Sequence, residues 1–555
     1  MLTTRSQLSL RGLFTVPLLS IALSGCLSGS GSSSAPTNPV SFVVQTEQGP
    51  VQGVDENGLL SFKGIPYAAP PIGDMRFSAP IPAADRGNAV LVADRFGPDC
   101  PQNPGLFEQG PFSEDCLFLN VYTPDLNGSH PVMVWIHGGA FETGSGGAAY
   151  NPERLVENGV TVVTLNYRLG LLGFMAHVDL SAESGESGNY GLMDQQAALA
   201  WVRANIAEFG GDAENITIFG ESAGGHAVLS HLVSPASATL FDKAIIQSGS
   251  YMPAQRSLQQ AETLGAEVAA LAGCKVDTAN CLRSLSPEDI LQAQQDAKAS
   301  GGPLNFGLIP ISFLPVTDTD TLPQSIQSAL ASGQFNAKPV LIGSNLDEWR
   351  FYVGVALLRG IPVNELTYSA LIQASTGADS ATAELLAAAY PPETYGGVPY
   401  ALSALGTDAV FACNSLQQTR QIAEHVTTFA YEFSDRNAPP LLPEVPDFDY
   451  GAAHAFELTY LFADRDLLTE LSATLTGEQL ALAQAMIDYW TAFAKNHNGE
   501  LSAENAPLWP EFIPSSGERL LNLNPDDLNE LSAALFDTTH RCSRSGSLNK
   551  FESKR

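Results

Sequence analysis

Residues 216–225 read ITIFGESAGG and carry the strongest signal for a fold class in this chain. The first four residues are an apolar run typical of a buried strand, and a helical pattern starts at His226. Between them, the glycines two residues before and after Ser222 allow a turn too tight for larger side chains. Such a turn lifts the Ser222 hydroxyl above the sheet edge at a helix N-terminus, so Ser222 is the predicted nucleophile. The alternative is a Gly-rich turn without a catalytic role.

Similar apolar runs elsewhere predict that this strand belongs to a parallel sheet. Runs without alternating polar residues suit strands covered on both faces, and their alternation with helices indicates an α/β protein. The expected strands are residues 132–136, 161–165, 216–219, 244–246 and 340–342, and the expected helices are residues 193–206 and 226–232. Mostly helical insertions, expected to cap the carboxyl edge of the sheet, are residues 255–300, 360–400 and 465–500.

The composition excludes several classes of protein. Apolar residues make up 44% of the 555 residues and charged residues only 15%, which is globular rather than disordered. The net charge of −32 repels phosphate backbones, so a nucleic-acid partner is excluded. The same charge favours neutral or cationic partners, and its simplest role is to keep the protein soluble. The sequence leaves the oligomeric state open.

The N-terminus has the pattern of an export signal. Arg5 and Arg11 precede an apolar run at residues 13–23, which is too short to span a bilayer and has the length of a signal-peptide core. Residues 23–26 read LSGC and resemble the lipobox of bacterial lipoproteins, in which the cysteine is lipidated. No aspartate follows Cys26 as an inner-membrane retention signal. The resemblance implies an outer-membrane lipoprotein, and the alternative is a secreted or periplasmic protein with a chance cysteine.

Composition also divides the chain into segments. A Ser/Gly/Pro-rich stretch follows Cys26 and is typical of a flexible tether. After the tether the sequence shows neither a second linker nor an internal repeat. We therefore expect a signal peptide at residues 1–25, a tether at residues 26–39 and a single domain at residues 40–555.

Cysteine counting agrees with export. The chain has seven cysteines, and lipidation of Cys26 leaves six, an even number suited to disulfides. Six cysteines can pair in many ways, so the sequence alone does not settle the pairing. Local spacing favours two short loops and leaves one long-range tie. These pairs are Cys100–Cys116, Cys274–Cys281 and Cys413–Cys542.

An oxyanion hole is predicted after the strand that ends at Ile136. Acyl transfer needs hydrogen-bond donors where negative charge develops, and adjacent glycines let backbone N–H groups approach a ligand. Residues 137–141 read HGGAF and match the HGGG-type loop that supplies such donors. The predicted donors are the N–H groups of Gly138, Gly139 and Ala223, and the alternative is an ordinary turn after a strand.

The acid and the base of a triad are expected downstream, in the order serine, acid, histidine. Residues 340–348 read VLIGSNLDE, a strand followed by a loop in which either Asp347 or Glu348 can reach a histidine. Four histidines follow, and the small residues that flank His454 suit a loop that presents an imidazole. The four candidates are His425, His454, His497 and His540.

Ordered motifs run along almost the whole chain after the tether. They are FKGIPYA at residues 62–68, SEDCLFLN at 113–120, HGGAF at 137–141, NYRLGLLGF at 166–174, GNYGLMDQQAAL at 188–199, GESAGG at 220–225, QSGS at 247–250, GSNLDE at 343–348 and GAAHAFEL at 451–458. With these motifs the chain resembles the type-B carboxylesterases, the α/β-hydrolase family that includes cholinesterases and fungal lipases. The resemblance implies an α/β-hydrolase fold, a mostly parallel sheet with flanking helices and a helical cap over an active-site gorge.

The resemblance also settles the open choices. By position in the motifs, it implies that the triad acid is Glu348 and that the base is His454. It implies the same two local disulfides, and Cys413 and Cys542 resemble a third pair found in cholinesterases. The implied activity is hydrolysis of small-molecule carboxylic esters through an acyl-enzyme, with neither a metal nor another cofactor.

Departures from the family pattern narrow the expected substrate. The loop at residues 101–115 has no tryptophan, so the cation–π contact by which cholinesterases hold choline is absent. This loop is also much shorter than the flap of the fungal lipases. We therefore expect an esterase for short- to medium-chain or aryl esters. The alternatives are a long-chain lipase and a non-catalytic surface binding module.

Overall fold

The computed structural model describes residues 41–56, 58–103, 111–299, 313–462, 474–496 and 501–545. From Ser41 onward these residues belong to one compact unit. The expected signal peptide and tether, with Cys26, lie outside the described residues, as does His497. What the sequence indicates about them stays a prediction.

The described residues contain one mixed sheet of thirteen strands. The strands are β1 (Ser41–Thr46), β2 (Gly49–Glu56), β3 (Leu59–Pro66), β4 (Leu91–Val92), β5 (Phe118–Thr123), β6 (His130–Ile136), β7 (Thr161–Leu165), β8 (Gly211–Glu221), β9 (Lys243–Gln247), β10 (Val340–Asn345), β11 (Thr428–Phe433), β12 (Arg519–Leu523) and β13 (Asn529–Ser532). Their order is β1-β2-β3-β5-β7-β6-β8-β9-β10-β11-β12-β13, and β4 pairs with β2.

The centre of this sheet is parallel. The strands from β7 through β6, β8, β9, β10 and β11 to β12 all run in one direction, and antiparallel strands flank them. All five expected strands lie in this central part. Residues of β6 such as Val132, Val134 and Ile136 are 0% exposed, since helices cover both faces of the sheet. The predicted α/β class with a largely parallel sheet is therefore confirmed.

Helices follow most of the parallel strands. They are α1 (Glu153–Glu157), α2 (Gly170–Phe174), α3 (Val178–Ser184), α4 (Tyr190–Asn205), α5 (Ala223–Val233), α6 (Leu258–Leu271), α7 (Thr278–Ser284), α8 (Pro287–Ala299), α9 (Ile326–Ser332), α10 (Arg350–Leu358), α11 (Tyr368–Thr376), α12 (Ser380–Ala389), α13 (Pro392–Tyr395), α14 (Val398–Gly406), α15 (Cys413–Ala423), α16 (Leu458–Leu461), α17 (Gly477–Lys495), α18 (Ala533–Thr539) and α19 (Cys542–Ser545). A π-helical turn, Thr407–Ala412, links α14 to α15. No described helix combines the length and the apolar character needed to cross a membrane.

Three disulfides lie within the described residues, and they have the expected pairing. Two close short loops, and the third joins the start of α15 to the C-terminal segment across 129 residues. Such a long loop removes much freedom from the unfolded chain, so this tie is expected to stabilise the fold most. The pairs are Cys100–Cys116, Cys274–Cys281 and Cys413–Cys542.

Candidate active site

Ser222 stands in the turn between β8 and α5, with a backbone that side chains rarely adopt. Its φ is 56° and its ψ is −120°. The turn is held on both sides, since the Ser222 N–H donates to the Gln247 carbonyl at 2.9 Å and the Ser222 carbonyl accepts from His226 N–H at 2.9 Å. A Cβ at Gly224 would lie 1.9 Å from the Ile136 carbonyl oxygen, so only glycine lets α5 pack this close to β6.

His454 joins Ser222 to Glu348. The Nε2 atom of His454 lies 2.8 Å from the Ser222 hydroxyl oxygen, and its Nδ1 atom lies 2.6 Å from Glu348 Oε2. A carboxylate can only accept, so Nδ1 carries the hydrogen and Nε2 is free to accept a proton from Ser222. The structure therefore brings together the three side chains that the sequence and the family resemblance indicated.

Glu348 rather than its neighbour Asp347 reaches the histidine. The other oxygen of Glu348, Oε1, accepts from the Ser248 hydroxyl at 2.6 Å and from the Asn345 N–H at 2.8 Å. Asp347 points elsewhere and accepts from the Arg436 guanidinium at 2.7 and 3.0 Å. Burial at 0% exposure and two fixed donors hold the Glu348 carboxylate in one orientation.

The predicted oxyanion donors lie around Ser222. A Cβ at Gly138 would lie 3.2 Å from the Ser222 Cβ, which places the loop after β6 directly beside Ser222. Within the described part of the chain, the N–H groups of Gly138, Gly139 and Ala223 donate no hydrogen bond to protein atoms. They are therefore available to a ligand. The Ala223 N–H is also the first N–H group of helix α5 and lies at the positive end of the helix dipole.

Side chains of α8 form hydrogen bonds with the loop at residues 137–142, which we call the oxyanion loop. Ala140 and Phe141 have φ values of 59° and 60°, a conformation that costs energy for residues with a Cβ. The next residue, Glu142, is buried and accepts from Gln294 Nε2 at 3.2 Å and from Lys298 Nζ. Since Gln294 and Lys298 both belong to α8, this helix fixes the carboxyl end of the oxyanion loop.

Two further carboxylates lie beside the triad. Glu221 Oε1 is 3.2 Å from His454 Nε2, and Glu457 accepts from Asn345 Nδ2 at 2.7 Å. Burial lowers the pKa of His454, but the charges of Glu221, Glu348 and Glu457 outweigh it and raise that pKa above its usual value. For the Glu221 carboxyl group, burial acts in the opposite direction and raises the pKa well above its usual range. The cluster therefore retains a proton between His454 Nε2 and Glu221 at pH values where a free imidazole has lost it.

The other candidate histidines lie away from this site. His540 is buried and donates to Asp408 and Glu432, at 2.8 and 2.6 Å. His425 is exposed in the turn after α15. Among the residues that the structure covers, no group of three or more His, Cys, Asp or Glu side chains is arranged to hold a metal ion.

Three residues that contact the triad or its neighbours were not predicted from the sequence: Ser248, Glu221 and Glu457. Each lies inside a motif that was singled out, and Ser248 and Glu221 sit at the carboxyl ends of neighbouring parallel strands. Strand register could have placed these two beside Ser222, because the ends of parallel strands meet at one edge. The position of Glu457 depends on the path of the chain after His454, which the motif does not define.

A parallel sheet that presents a serine, a glutamate and a histidine at its carboxyl edge, in this chain order, defines an α/β-hydrolase of the serine type. Comparison with known proteins identifies the family within this class. Residues 40–540 match the carboxylesterase family, and the chain belongs to that family. It is therefore a carboxylic ester hydrolase.

Individual relatives are similar along most of their length. Para-nitrobenzyl esterase of Bacillus subtilis is 36% identical over 491 residues, covering 86% of this chain and 94% of that protein. Fumonisin B1 esterase of Sphingopyxis macrogoltabida is 34% identical over 494 residues, covering 86% of each chain. The solved structure of a thermophilic PNB esterase has a TM-score of 0.76 and 33% identity, covering 90% of this chain and 99% of its own.

The contact between Lys298 and Glu142 predicts that a substitution in α8 lowers the rate of catalysis. Lys298→Met removes the cation that meets Glu142, so the oxyanion loop loses part of its support and kcat is expected to fall about 10-fold or more with little change in KM. Steady-state kinetics on a p-nitrophenyl ester measures this. Lys298→Arg should keep most of the rate, and Lys275→Met, at an exposed lysine of the neighbouring disulfide loop, is the matched control. An unchanged kcat in Lys298→Met would contradict the hypothesis that Lys298 supports the oxyanion loop through Glu142.

Proposed function

We propose that this chain is a serine esterase for short- to medium-chain or aryl esters, with Ser222 as nucleophile, His454 as base and Glu348 as its orienting acid. The proposal is carried by one observation. A continuous line of hydrogen bonds runs from the Ser222 hydroxyl through His454 to Glu348, beside three unused backbone N–H groups. This is the arrangement that acyl transfer to a serine requires.

Acylation starts when His454 Nε2 takes the Ser222 proton as the hydroxyl oxygen attacks the ester carbonyl carbon. The carbonyl electron pair moves to its oxygen, and the N–H groups of Gly138, Gly139 and Ala223 stabilise that oxyanion. The Glu348 carboxylate stabilises the imidazolium through Nδ1. When the intermediate collapses, the bond to the alkoxy oxygen breaks and His454 Nε2 protonates the leaving alcohol.

Deacylation uses the same groups in reverse. His454 Nε2 removes a proton from water, and the resulting hydroxide attacks the carbonyl carbon of the Ser222 ester. The second oxyanion occupies the same donors, and its collapse releases the acid and returns the proton to the Ser222 oxygen. Each step needs His454 neutral at Nε2 when it starts.

Small substrates are favoured by the surroundings of His454. Phe411 and Tyr352 pack on its ring with centroids 5.1 and 5.4 Å away, so aromatic side chains limit the space around the nucleophile. The likeness to para-nitrobenzyl esterase and to cocaine esterase of Oryctolagus cuniculus supports a preference for small or aromatic esters. A long-chain lipase with the same triad is the alternative.

The site of action proposed is the outer membrane. Support comes from the sequence LSGC at residues 23–26 and from the three disulfides of the described residues, which use the six cysteines other than Cys26. A diacylated N-terminus would anchor the enzyme stably, and the stretch to residue 39 would let the domain stand off the membrane. A secreted or periplasmic enzyme is the alternative.

An acyl-length series tests the proposed substrate class. We expect p-nitrophenyl esters from acetate to palmitate to give the highest kcat/KM at short chains, because the aromatic surroundings leave little room. Ser222→Ala should lose at least about 10³-fold in kcat, since the nucleophile is removed. A maximum at long chains would support the lipase instead, and activity that survives in folded Ser222→Ala would contradict the triad.

The pH profile tests the charge arrangement. The glutamates raise the pKa of His454, and an imidazole protonated at Nε2 cannot act as a base. We therefore expect kcat/KM to rise with pH, and the limb of this rise should have its midpoint above pH 6.5. Glu221→Gln removes one of these charges and should move the limb to lower pH. Circular dichroism at each pH checks that the protein stays folded. A limb below pH 6 would contradict this electrostatic account.

Membrane attachment is tested on the full chain expressed in a Gram-negative bacterium. The wild-type chain should incorporate radiolabelled palmitate and fractionate with the outer membrane, whereas Cys26→Ser should do neither because its side chain cannot form the thioether. Cys274→Ser, at a cysteine in a local disulfide, is the control and should still be labelled. A wild-type chain that remains unlabelled and soluble would support the secreted or periplasmic alternative.

A further inference from the structure

Asp347 connects the loop that carries Glu348 to the loop that carries His454. Its Oδ2 atom accepts from the Ala452 N–H at 3.2 Å, and its own N–H donates to the Ala452 carbonyl at 3.0 Å. Further along, the His454 N–H donates to the Glu348 carbonyl at 3.3 Å. The two loops therefore lie side by side, with Asp347 paired to Ala452 and Glu348 paired to His454.

Gly451 allows the two loops to approach this closely. Its φ is 57°, and a Cβ at this position would lie 2.5 Å from the Asp347 Oδ2 atom. Any other residue would therefore displace either the carboxylate or the backbone of the second loop. The Asp347 carboxylate thus packs directly against the backbone that leads into His454.

Two guanidinium groups fix the orientation of this carboxylate. Arg436, just after β11, donates from Nε to Asp347 Oδ2 at 2.7 Å and from Nη2 to Oδ1 at 3.0 Å. Arg350, at the start of α10, places Nη2 3.1 Å from Asp347 Oδ1 and donates from Nη1 to the Asp449 carbonyl at 3.1 Å. A two-point contact with a guanidinium sets the geometry of a carboxylate as well as compensating its charge.

The hydrogen bond between acid and base spans the same two loops. Glu348 Oε2 and His454 Nδ1 lie 2.6 Å apart, so a shift of the second loop changes this distance directly. The same shift changes the 2.8 Å distance from His454 Nε2 to the Ser222 hydroxyl. Catalysis depends steeply on such distances, since a displacement of about 1 Å can cost about 100-fold in rate.

We propose that Asp347, oriented by Arg436 and Arg350, is a positioning residue that sets the distance between Glu348 and His454. This role rests on the proposed functions of Glu348 and His454 in ester hydrolysis. Asp347 acts through the backbone of the second loop, so its loss should slow the reaction without changing the surface that binds the ester. Acylation and deacylation both use His454, so both should slow together and KM should change little.

Substitutions at Arg436 test the role with little risk to folding, because its side chain is 54% exposed. We expect Arg436→Met to lower kcat for p-nitrophenyl acetate about 10-fold with little change in KM. Arg436→Lys keeps a positive charge without the two-point contact and should recover part of the rate. Asp347→Ala also removes the acceptor for the Ala452 N–H and should cost about 100-fold.

Proton NMR distinguishes a misplaced histidine from general damage to the fold. In wild type, the short contact with Glu348 should place the His454 Nδ1 proton resonance far downfield of the amide signals, and its loss in His454→Gln assigns it. We expect this resonance to broaden or move upfield in Arg436→Met, while circular dichroism stays that of wild type. An unchanged resonance in that variant would overturn the proposal.

Arg420→Met is the matched control. Arg420 also donates to a carboxylate from Nε and Nη2, at 3.2 and 2.7 Å, and is half-exposed, but its partner Glu518 lies outside both loops. The control should keep the wild-type kcat and resonance. A wild-type kcat in folded Arg436→Met, a loss confined to KM, or an equal loss in Arg420→Met would overturn the proposal. If Asp347→Ala does not fold, the two Arg436 variants decide.

The same measurements keep the two hypotheses apart. If wild type hydrolyses no ester, or if folded Ser222→Ala retains the activity, the proposed esterase mechanism fails. If hydrolysis depends on Ser222 and His454 but Arg436→Met has the wild-type kcat and resonance, only the positioning role of Asp347 fails.

Discussion

The close contact between the start of α5 and the end of β6 is the constraint on which the rest of the site depends. A Cβ at Gly224 would collide with the Ile136 carbonyl oxygen at 1.9 Å. This contact forces the chain to turn sharply at Ser222, which therefore takes a φ of 56°. The same turn presents the hydroxyl upward and leaves the Ala223 N–H free for a ligand. The proposed nucleophile and one of the proposed oxyanion donors thus both result from the same backbone packing.

Neighbouring strands then deliver the remaining parts to the same edge. Since β6, β8, β9 and β10 are parallel, the segments that follow them meet at one edge of the sheet. These segments carry Gly138, Ser222, Ser248 and Glu348. Only His454 comes from a longer excursion after β11. Its position is secured by hydrogen bonds at both ring nitrogens, so the imidazole is oriented before substrate arrives.

Burial of several carboxylates around one imidazole gives the site its electrostatic character. Glu348 is compensated by Ser248 and Asn345, whereas Glu221 Oε1 has no hydrogen-bond donor in the described structure other than what His454 can offer. The positive charge that forms on His454 during attack therefore meets the Glu348 carboxylate at Nδ1 and the Glu221 carboxyl group beside Nε2. These groups favour the protonated imidazole, so His454 is neutral and able to act as a base only at pH values above its raised pKa.

Much of this architecture could be predicted from the sequence, because the parallel strands are continuous apolar runs and the turn at Ser222 has a strict glycine pattern. Composition could not choose between Asp347 and Glu348, which differ only in how the loop after β10 aims them. Asp347 pairs with Arg436, which lies 89 residues further along the chain, so no pattern in the neighbouring sequence indicates this contact. The same holds for the contact of Lys298 with Glu142, which arises only when distant segments pack together.

We propose that Ser222 alone is the activated nucleophile. Treating the folded protein with a fluorophosphonate and locating the adduct by peptide mass spectrometry tests this role. A single phosphonylated residue, Ser222, is expected, because among the described residues only its hydroxyl hydrogen-bonds with His454 Nε2. An adduct on Ser248, whose hydroxyl instead donates to Glu348, or a folded protein that remains unlabelled, would contradict it.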